Sequence, residues 1–412
     1  MSKQKPVGKI RAAILNWFGV PIMPTDELQW WIGGGGSIAG KTVNVNSTLQ
    51  LSTAWACVSL KAETVSTLPL KVYERMPDGT RRVAAEHPIY ALLCRSPNAE
   101  MTPSRMMLQV VASLCLWGNA YVEKVYMGSR LVALQPLLPQ NVRVKRLPNN
   151  GALVYVETVK GVRREITEDQ MLHLRGFGLD GVIGLAPMSA GAETLGAAMA
   201  ANESSSKMFK QGMQSSGYLS TENQLKPEQR EKVRESIERF SGSEKAGKTM
   251  VLENGFKYYG ISMNPEVAQL LETRSFNVEE VCRLFRVPPF MVGHLDKQSS
   301  WASSTEGMML NFLTNTLRPM LVNIEQEIAR SLIPAKDFER FFVSFNVEGL
   351  LRADSKGRSE FYNSAVNNGW MSRNEVRAKE DLPPIAGGEV YTVQSALIPL
   401  DQVGKNYGGS AQ

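Results

Sequence analysis

One helical pattern constrains this chain more than any other feature, because it is too long for an ordinary globular domain. Between Ser303 and Pro334, apolar residues recur at Leu313, Leu317, Leu321, Ile324, Ile328 and Leu332. Spacings of three and four place them on one face of a helix. Ser303 followed by Glu306 reads as a capping box at its start. Thirty residues at 1.5 Å each give about 45 Å. Pro319 removes a hydrogen bond midway, so the expected object is a kinked strut rather than a straight rod.

Charge and cysteine usage narrow the function classes. A formal charge of +6 over 412 residues permits contact with nucleic acid without demanding it. Cys57, Cys94, Cys115 and Cys282 show no metal-ligand spacing and read as inert thiols in a reducing compartment. His87, His173 and His294 are scattered, so no metal site is expected. His87 precedes Pro88 in a turn, and His173 alternates with Leu172 and Leu174 in a strand, both structural positions. No apolar run reaches the length of a membrane span. The opening MSKQKPVGKIRAAILNWFGV mimics a signal peptide, but Asn16 interrupts it and no small-residue cleavage site follows, so an amphipathic arm on an intracellular protein is expected.

GGSIAGKT satisfies the phosphate-loop pattern, with Lys41 and Thr42 in the phosphate and magnesium roles. Its surroundings argue against that reading. DELQWWI upstream is too polar and short for a central parallel strand, and VNVNSTLQLS downstream does not predict an immediate helix. FFVSFNVEG, ending near Glu348, is the sole acidic strand candidate. Consecutive glycines more often mark a linker. Neither G-x-S-x-G nor H-E-x-x-H occurs.

The remaining pattern predicts an α+β body. Thr48–Leu68 and Pro103–Trp117 are helical, the second with Ser104 as N-cap, and short strands run from NAYVEKVY to MLHLRGF. PMSAGAETLGAAMAANESSSKMFKQG is a helix of small residues, suited either to close packing between copies or to an ordinary buried position. A module follows, with strand GYLST, the charged helix KPEQREKVRESIERF opened by Pro227, and TMVLENGFKYYGIS as a hairpin or a bent strand pair. NPEVAQLLETRSFNVEEVCRLFRV is a helix capped by Asn264 and stopped by Pro288–Pro289. FFVSFNVEG is a strand, and two short helices lie at Ser355–Asn367 and Ser372–Glu380.

This order of elements resembles the portal proteins of tailed bacteriophages, of the short siphophage type. HPIYALL with SPN, WGNAYVE, LQPLLPQNVRV, GLAP and NPEVAQLLETRSFNVEEVCRLFRVPPFMVG carry the resemblance, spread over residues 43 to 400. It implies an α+β portal fold: arm 1–45, wing 46–186, stem helices 187–212 and 264–292 around a clip at 213–263, tunnel loop 293–303, long helix and wing strand 304–350, crown 351–400 and tail 401–412.

The resemblance further implies a ring of about twelve subunits closed by rotation. Double-stranded DNA would pass through it at a capsid vertex of the virion, after assembly in the bacterial host cytoplasm. Implied partners are the terminase large subunit, then a head–tail connector or adaptor, and the major capsid protein, with no membrane. No catalytic residue, cofactor or metal is implied, because a separate terminase supplies the energy.

Asp296, Lys297, Gln298, Ser299 and Ser300 would lie nearest DNA, with Asp296 limiting the attraction; Trp301 would touch DNA or anchor the loop. Lys226, Glu228, Arg230, Arg234 and Glu238 would form the docking face of the clip. Twelve stem helices at about 10 Å spacing leave a bore of roughly 25–30 Å, wide enough for duplex DNA. Modest charge suits sliding, since each cation adds phosphate affinity. The alternatives are a phosphate-loop NTPase acting on DNA and a different head–tail joining protein.

Overall fold

The computed structural model describes residues 37–147, 151–210, 217–221, 226–240, 257–260, 264–294, 305–347, 355–380 and 382–392. The chain divides into two units, Met1–Phe345 and Asn346–Gln412. The first unit opens with α1 (Val45–Leu49), α2 (Ser52–Thr67), β1 (Leu70–Arg75), β2 (Arg81–Val83), α3 (Pro88–Cys94) and α4 (Pro103–Trp117). Strands β3 (Asn119–Met127), β4 (Arg130–Leu137), β5 (Val142–Arg146), β6 (Leu153–Val159), β7 (Val162–Thr167) and β8 (Met171–Arg175) follow. Then come α5 (Pro187–Ala190), α6 (Ala192–Lys210), β9 (Gly217–Ser220), α7 (Pro227–Phe240), β10 (Lys257–Gly260) and α8 (Asn264–Phe285). The unit closes with α9 (Thr305–Phe312), α10 (Arg318–Leu332) and β11 (Phe341–Phe345), while α11 (Ser355–Asn367) and α12 (Arg373–Lys379) belong to the second unit.

Sequence chemistry explains the framework. Helix α4 is capped by Thr102, whose Oγ1 accepts from Arg105 N at 3.3 Å, with Pro103 in the first turn. The expected cap, Ser104, instead lies inside the helix, because Pro103 already occupies a helical position. Gly118 ends α4 with φ +68, a left-handed conformation that glycine adopts without strain. Helices α2 and α4 pack against each other, and Ala54, Val58 and Val65 of the first and Val111 and Leu114 of the second are buried.

Two antiparallel sheets, β4-β3-β8 and β5-β6-β7, enclose Tyr121, Leu137, Val142, Leu153, Tyr155, Ile166 and Met171. Alternation along each strand gives these residues to the interior. Arg164 clamps the exposed side, donating to both Glu123 oxygens at 2.8 and 2.7 Å and to Glu157. A third antiparallel sheet, β11-β1-β2, carries Glu74, whose carboxyl is held below the ordinary carboxylate range by bonds from Arg82 and Arg340. Strand β10 pairs with β9, and residues 249–256 and 261–262 of the expected hairpin or strand pair lie outside the described residues.

In the second unit, Ser372 and Glu375 form a reciprocal cap at the start of α12. Asn374 is buried and bonds Ile385 O at 2.9 Å and Glu389 at 2.8 Å, tying the following turn to α12.

His173 has the structural role expected of it. It is 1% exposed, its Nε2 lies 3.0 Å from Asn119 Oδ1, and its Nδ1 lies 3.3 Å from the Tyr155 hydroxyl. Burial holds it neutral, well below the ordinary histidine range, with Arg175 and Arg330 adding to the effect. The unfolded chain takes up a proton below about pH 6.5 and the folded one does not, so stability falls as pH drops, by about 1.4 kcal/mol per unit. His87 shifts in the same direction through burial. The readout is therefore the difference between wild type and His173→Gln: urea unfolding from pH 6.5 to 5 should show a shallower slope in the variant.

Candidate functional site

The expected loop residues Asp296, Lys297, Gln298, Ser299, Ser300 and Trp301 lie outside the described residues, as does Ser303 of the expected capping box. Their flanks are described. Helix α8 ends at Phe285, short of Val287, because Arg286 turns left-handed at φ +57. Pro288–Pro289 then forbids continuation. A short turn, Pro289–Val292, leads to Gly293 at φ +81 and to His294. His294 Nε2 lies 3.2 Å from Ser275 Oγ and 3.7 Å from Glu279, so the entering flank folds back on α8.

The leaving flank is tied to the same helix end. The long helix is interrupted as expected, but by a wider mechanism. Leu313–Leu317 form a π-turn, and α10 restarts with Pro319 at its second position. The carbonyl that Pro319 cannot bond belongs to Asn315, and Arg286 Nη2 donates to it at 2.9 Å. Thr316 Oγ1 donates back to Arg286 O at 2.7 Å. Beyond the break, Leu317, Leu321, Ile324, Ile328 and Leu332 are buried as their spacing required. Sequence reasoning missed Arg286, since a left-handed arginine carries no local signature beyond the prolines after it.

Lys61 of α2 closes the same region from beneath. Only 7% exposed, its Nζ donates to Phe285 O at 3.2 Å, placing a cation at the negative end of α8. Cys57 donates to Cys282 across the same contact at 3.9 Å, and that bond and burial raise the Cys57 thiol. A cleft of about 350 Å³ between α2, α6 and α8 is lined by Thr53, Asn202, Arg274, Asn277 and His294.

The docking-face residues fall on or beside α7. Lys226 immediately precedes it, and its N–H donates to Gln229 Oε1 at 3.0 Å. Lys226, Glu228, Arg230 and Arg234 are exposed; Glu238 lies in the same helix, its side chain outside the description. Four-residue spacing brings Arg230, Arg234 and Glu238 to one face, with Lys226 continuing it, whereas Glu228 falls on another side.

The phosphate-loop pattern is occupied by the protein itself. Helix α1 does begin at Val45, contrary to the expectation of no immediate helix, because Asn44 caps it. Ile38 N, however, donates to both Glu193 oxygens at 3.0 and 3.1 Å, and Lys41 pairs with Glu203. An amide and an ammonium that a phosphate would need are thus spent on two carboxylates of α6. Gly196 permits this approach, since a Cβ there would meet Ser37 Oγ at 2.1 Å. Gly191 likewise admits Leu284, so Gly191 and Gly196 of the small-residue stretch serve packing within the chain. Pairings among the described strands are antiparallel, with β11, the acidic-strand candidate, beside β1 and Glu348 outside the description. Among the described residues no cluster of His, Cys, Asp or Glu could hold a metal, and no helix is long and apolar enough to cross a membrane.

The model of the phage portal protein family matches residues 52–381. The portal protein of Enterobacteria phage HK97 is 33% identical over 402 residues, covering 96% of this chain and 94% of that protein. A probable portal protein of Streptomyces phage phiC31 is 32% identical over 400 residues, covering 90% and 83%. Among solved structures, the neck of a native gene transfer agent particle, computed with C12 symmetry, superposes with a TM-score of 0.58 at 22% identity, covering 82% of this chain and 92% of that one. An HK97-family phage portal protein from Corynebacterium diphtheriae gives 0.56 at 17% identity, covering 76% and 99%.

Proposed function

The chain belongs to the phage portal protein family, and from that premise we propose that it forms the ring-shaped channel at one vertex of a phage capsid through which double-stranded DNA is packaged and later ejected. The observation that carries this reading is likeness along nearly the whole length, 96% of this chain against the HK97 portal protein. A ring of about a dozen copies is supported by the C12 symmetry of the structurally similar neck. It acts in the virion after assembly in the host cytoplasm.

In this reading residues 293–303 face the DNA. Their support is local: both flanks are fastened to α8, through His294 and Arg286. A loop whose two ends are fixed suits a passage that must touch DNA without gripping it. Lys297 offers phosphate attraction and Asp296 opposes it. The α7 face of Arg230, Arg234 and Glu238 meets the terminase large subunit first and the head–tail connector later, and the major capsid protein surrounds the wing. The channel itself catalyses nothing, and its energy comes from the terminase.

Removing Asp296 to Ser300 tests this assignment. Rings should still assemble, while packaged or retained DNA falls severalfold or is lost. Normal DNA content in capsids carrying the deletion would overturn the assignment of the loop.

A further inference from the structure

The connection from β8 to α5 is a rigid loop that displays two large apolar side chains to solvent. Phe177 is 78% exposed and Leu179 76%. Such exposure on a loose loop would mean little. This one is fastened throughout. Gly176 N donates to Gly118 O at 2.7 Å, and Leu185 N to Phe177 O at 2.7 Å. Asp180 Oδ1 accepts from Val182 N at 2.9 Å and Ile183 N at 3.0 Å. Asn119 bonds both the N–H and the carbonyl of Gly184, at 2.8 and 2.7 Å. A loop ordered before binding loses little entropy on docking, so its exposed apolar pair is suited to anchor an interface.

The same unit holds a matching recess. A groove of about 370 Å³ opens between the end of α2, α3 and the start of α4. Leu68, Met106, Met107 and Phe345 form its apolar lining, and Lys71 and Cys94 also line it. Loop and groove sit at opposite ends of α4: Gly118 follows its last residue, and Pro103 is its first. That helix is about 22 Å long. The loop therefore cannot fill the groove of its own chain.

We propose that Phe177 and Leu179 of one copy dock in the Leu68–Met107 groove of the next copy, with Asp180 facing Lys71. The proposal rests on the ring reading and adds where neighbours meet. Three observations favour a second copy as the occupant. A closed ring needs two different, complementary surfaces on each chain. The loop carries a carboxylate and the groove a lysine. One unit presents both, separated by the length of a helix.

Cys94 makes the test direct, because it lies in the groove while Cys57, Cys115 and Cys282 are buried. The full-length chain carrying Leu179→Cys is assembled and treated with copper phenanthroline and oxygen. The oxidant takes two electrons and two protons from the paired thiols as the disulfide forms. The expected result is a ladder of covalent multimers reaching beyond dimers, absent in Leu179→Cys/Cys94→Ser. Phe177→Ser, well folded by circular dichroism, should weaken self-association roughly thirtyfold, the effect of losing a 2 kcal/mol anchor. Rings by native mass without a ladder would overturn the docking proposal alone, placing the loop against another partner. A ladder that stops at dimers would overturn it by showing pairing rather than a ring. Absence of any multimer by native mass would bring down the ring reading, and the proposal with it.

Discussion

Gly118→Ala is expected to cost on the order of 4 kcal/mol and lower Tm by roughly 5 °C. Two separate effects add at this position. The left-handed φ of +68 alone penalises any side chain by about 1–2 kcal/mol. A Cβ there would also lie 2.0 Å from Leu185 O and 2.7 Å from Leu185 C, backbone atoms of a loop that is itself bonded to Gly118 and Asn119. Relieving that overlap must move the loop, break the Gly176–Gly118 bond or unseat Asn119. Gly79 isolates the first effect, since its φ is +81 but nothing lies within 4 Å of its Cβ position. Gly79→Ala should therefore cost only about 1 kcal/mol. Equal losses from the two variants, measured by thermal unfolding, would show that crowding at the loop is not what fixes it.

Lys61→Met carries the second large effect, about 2 kcal/mol of destabilisation. Methionine preserves most of the apolar stem but removes the donor that Phe285 O uses and the cation at the end of α8. A buried carbonyl left without its partner sets the magnitude. The urea midpoint should fall with the slope unchanged, marking a loss of stability rather than of unfolded-state compactness. Frayed α8 should also release Arg286, so amide exchange should quicken across residues 305–317. Burying an ammonium is itself costly, and the prediction sets that cost below the loss of the carbonyl's partner. A more stable Lys61→Met would mean that desolvation outweighs the cap.

Periodicity made the helices readable. Leu321, Ile324, Ile328 and Leu332 advertise a face that no loop could bury, and Ser372 with Glu375 announces its cap in four residues. Alternation did the same for the strands around Tyr121 and Tyr155. What stayed hidden depends on partners distant in sequence. Pro319 predicts a lost hydrogen bond, but only the fold reveals that Arg286 supplies the replacement. Gly118 and Gly184 are ordinary glycines until their backbones are seen in contact. GGSIAGKT shows the converse: a local pattern suggests phosphate, and the side chains that answer it are the carboxylates of α6. The loop and docking-face assignments came from family resemblance, since neither stretch has a periodic or capping signal for a partner.

The most direct measurement is the native mass of the purified full-length chain at assembly concentrations, with ATP hydrolysis followed on the same sample. A channel built from this 45.5 kDa chain should give particles of roughly half a megadalton, about a dozen copies in a closed ring, with no turnover. A stable dimer, or ATP turnover that disappears in Lys41→Ala, would contradict the account.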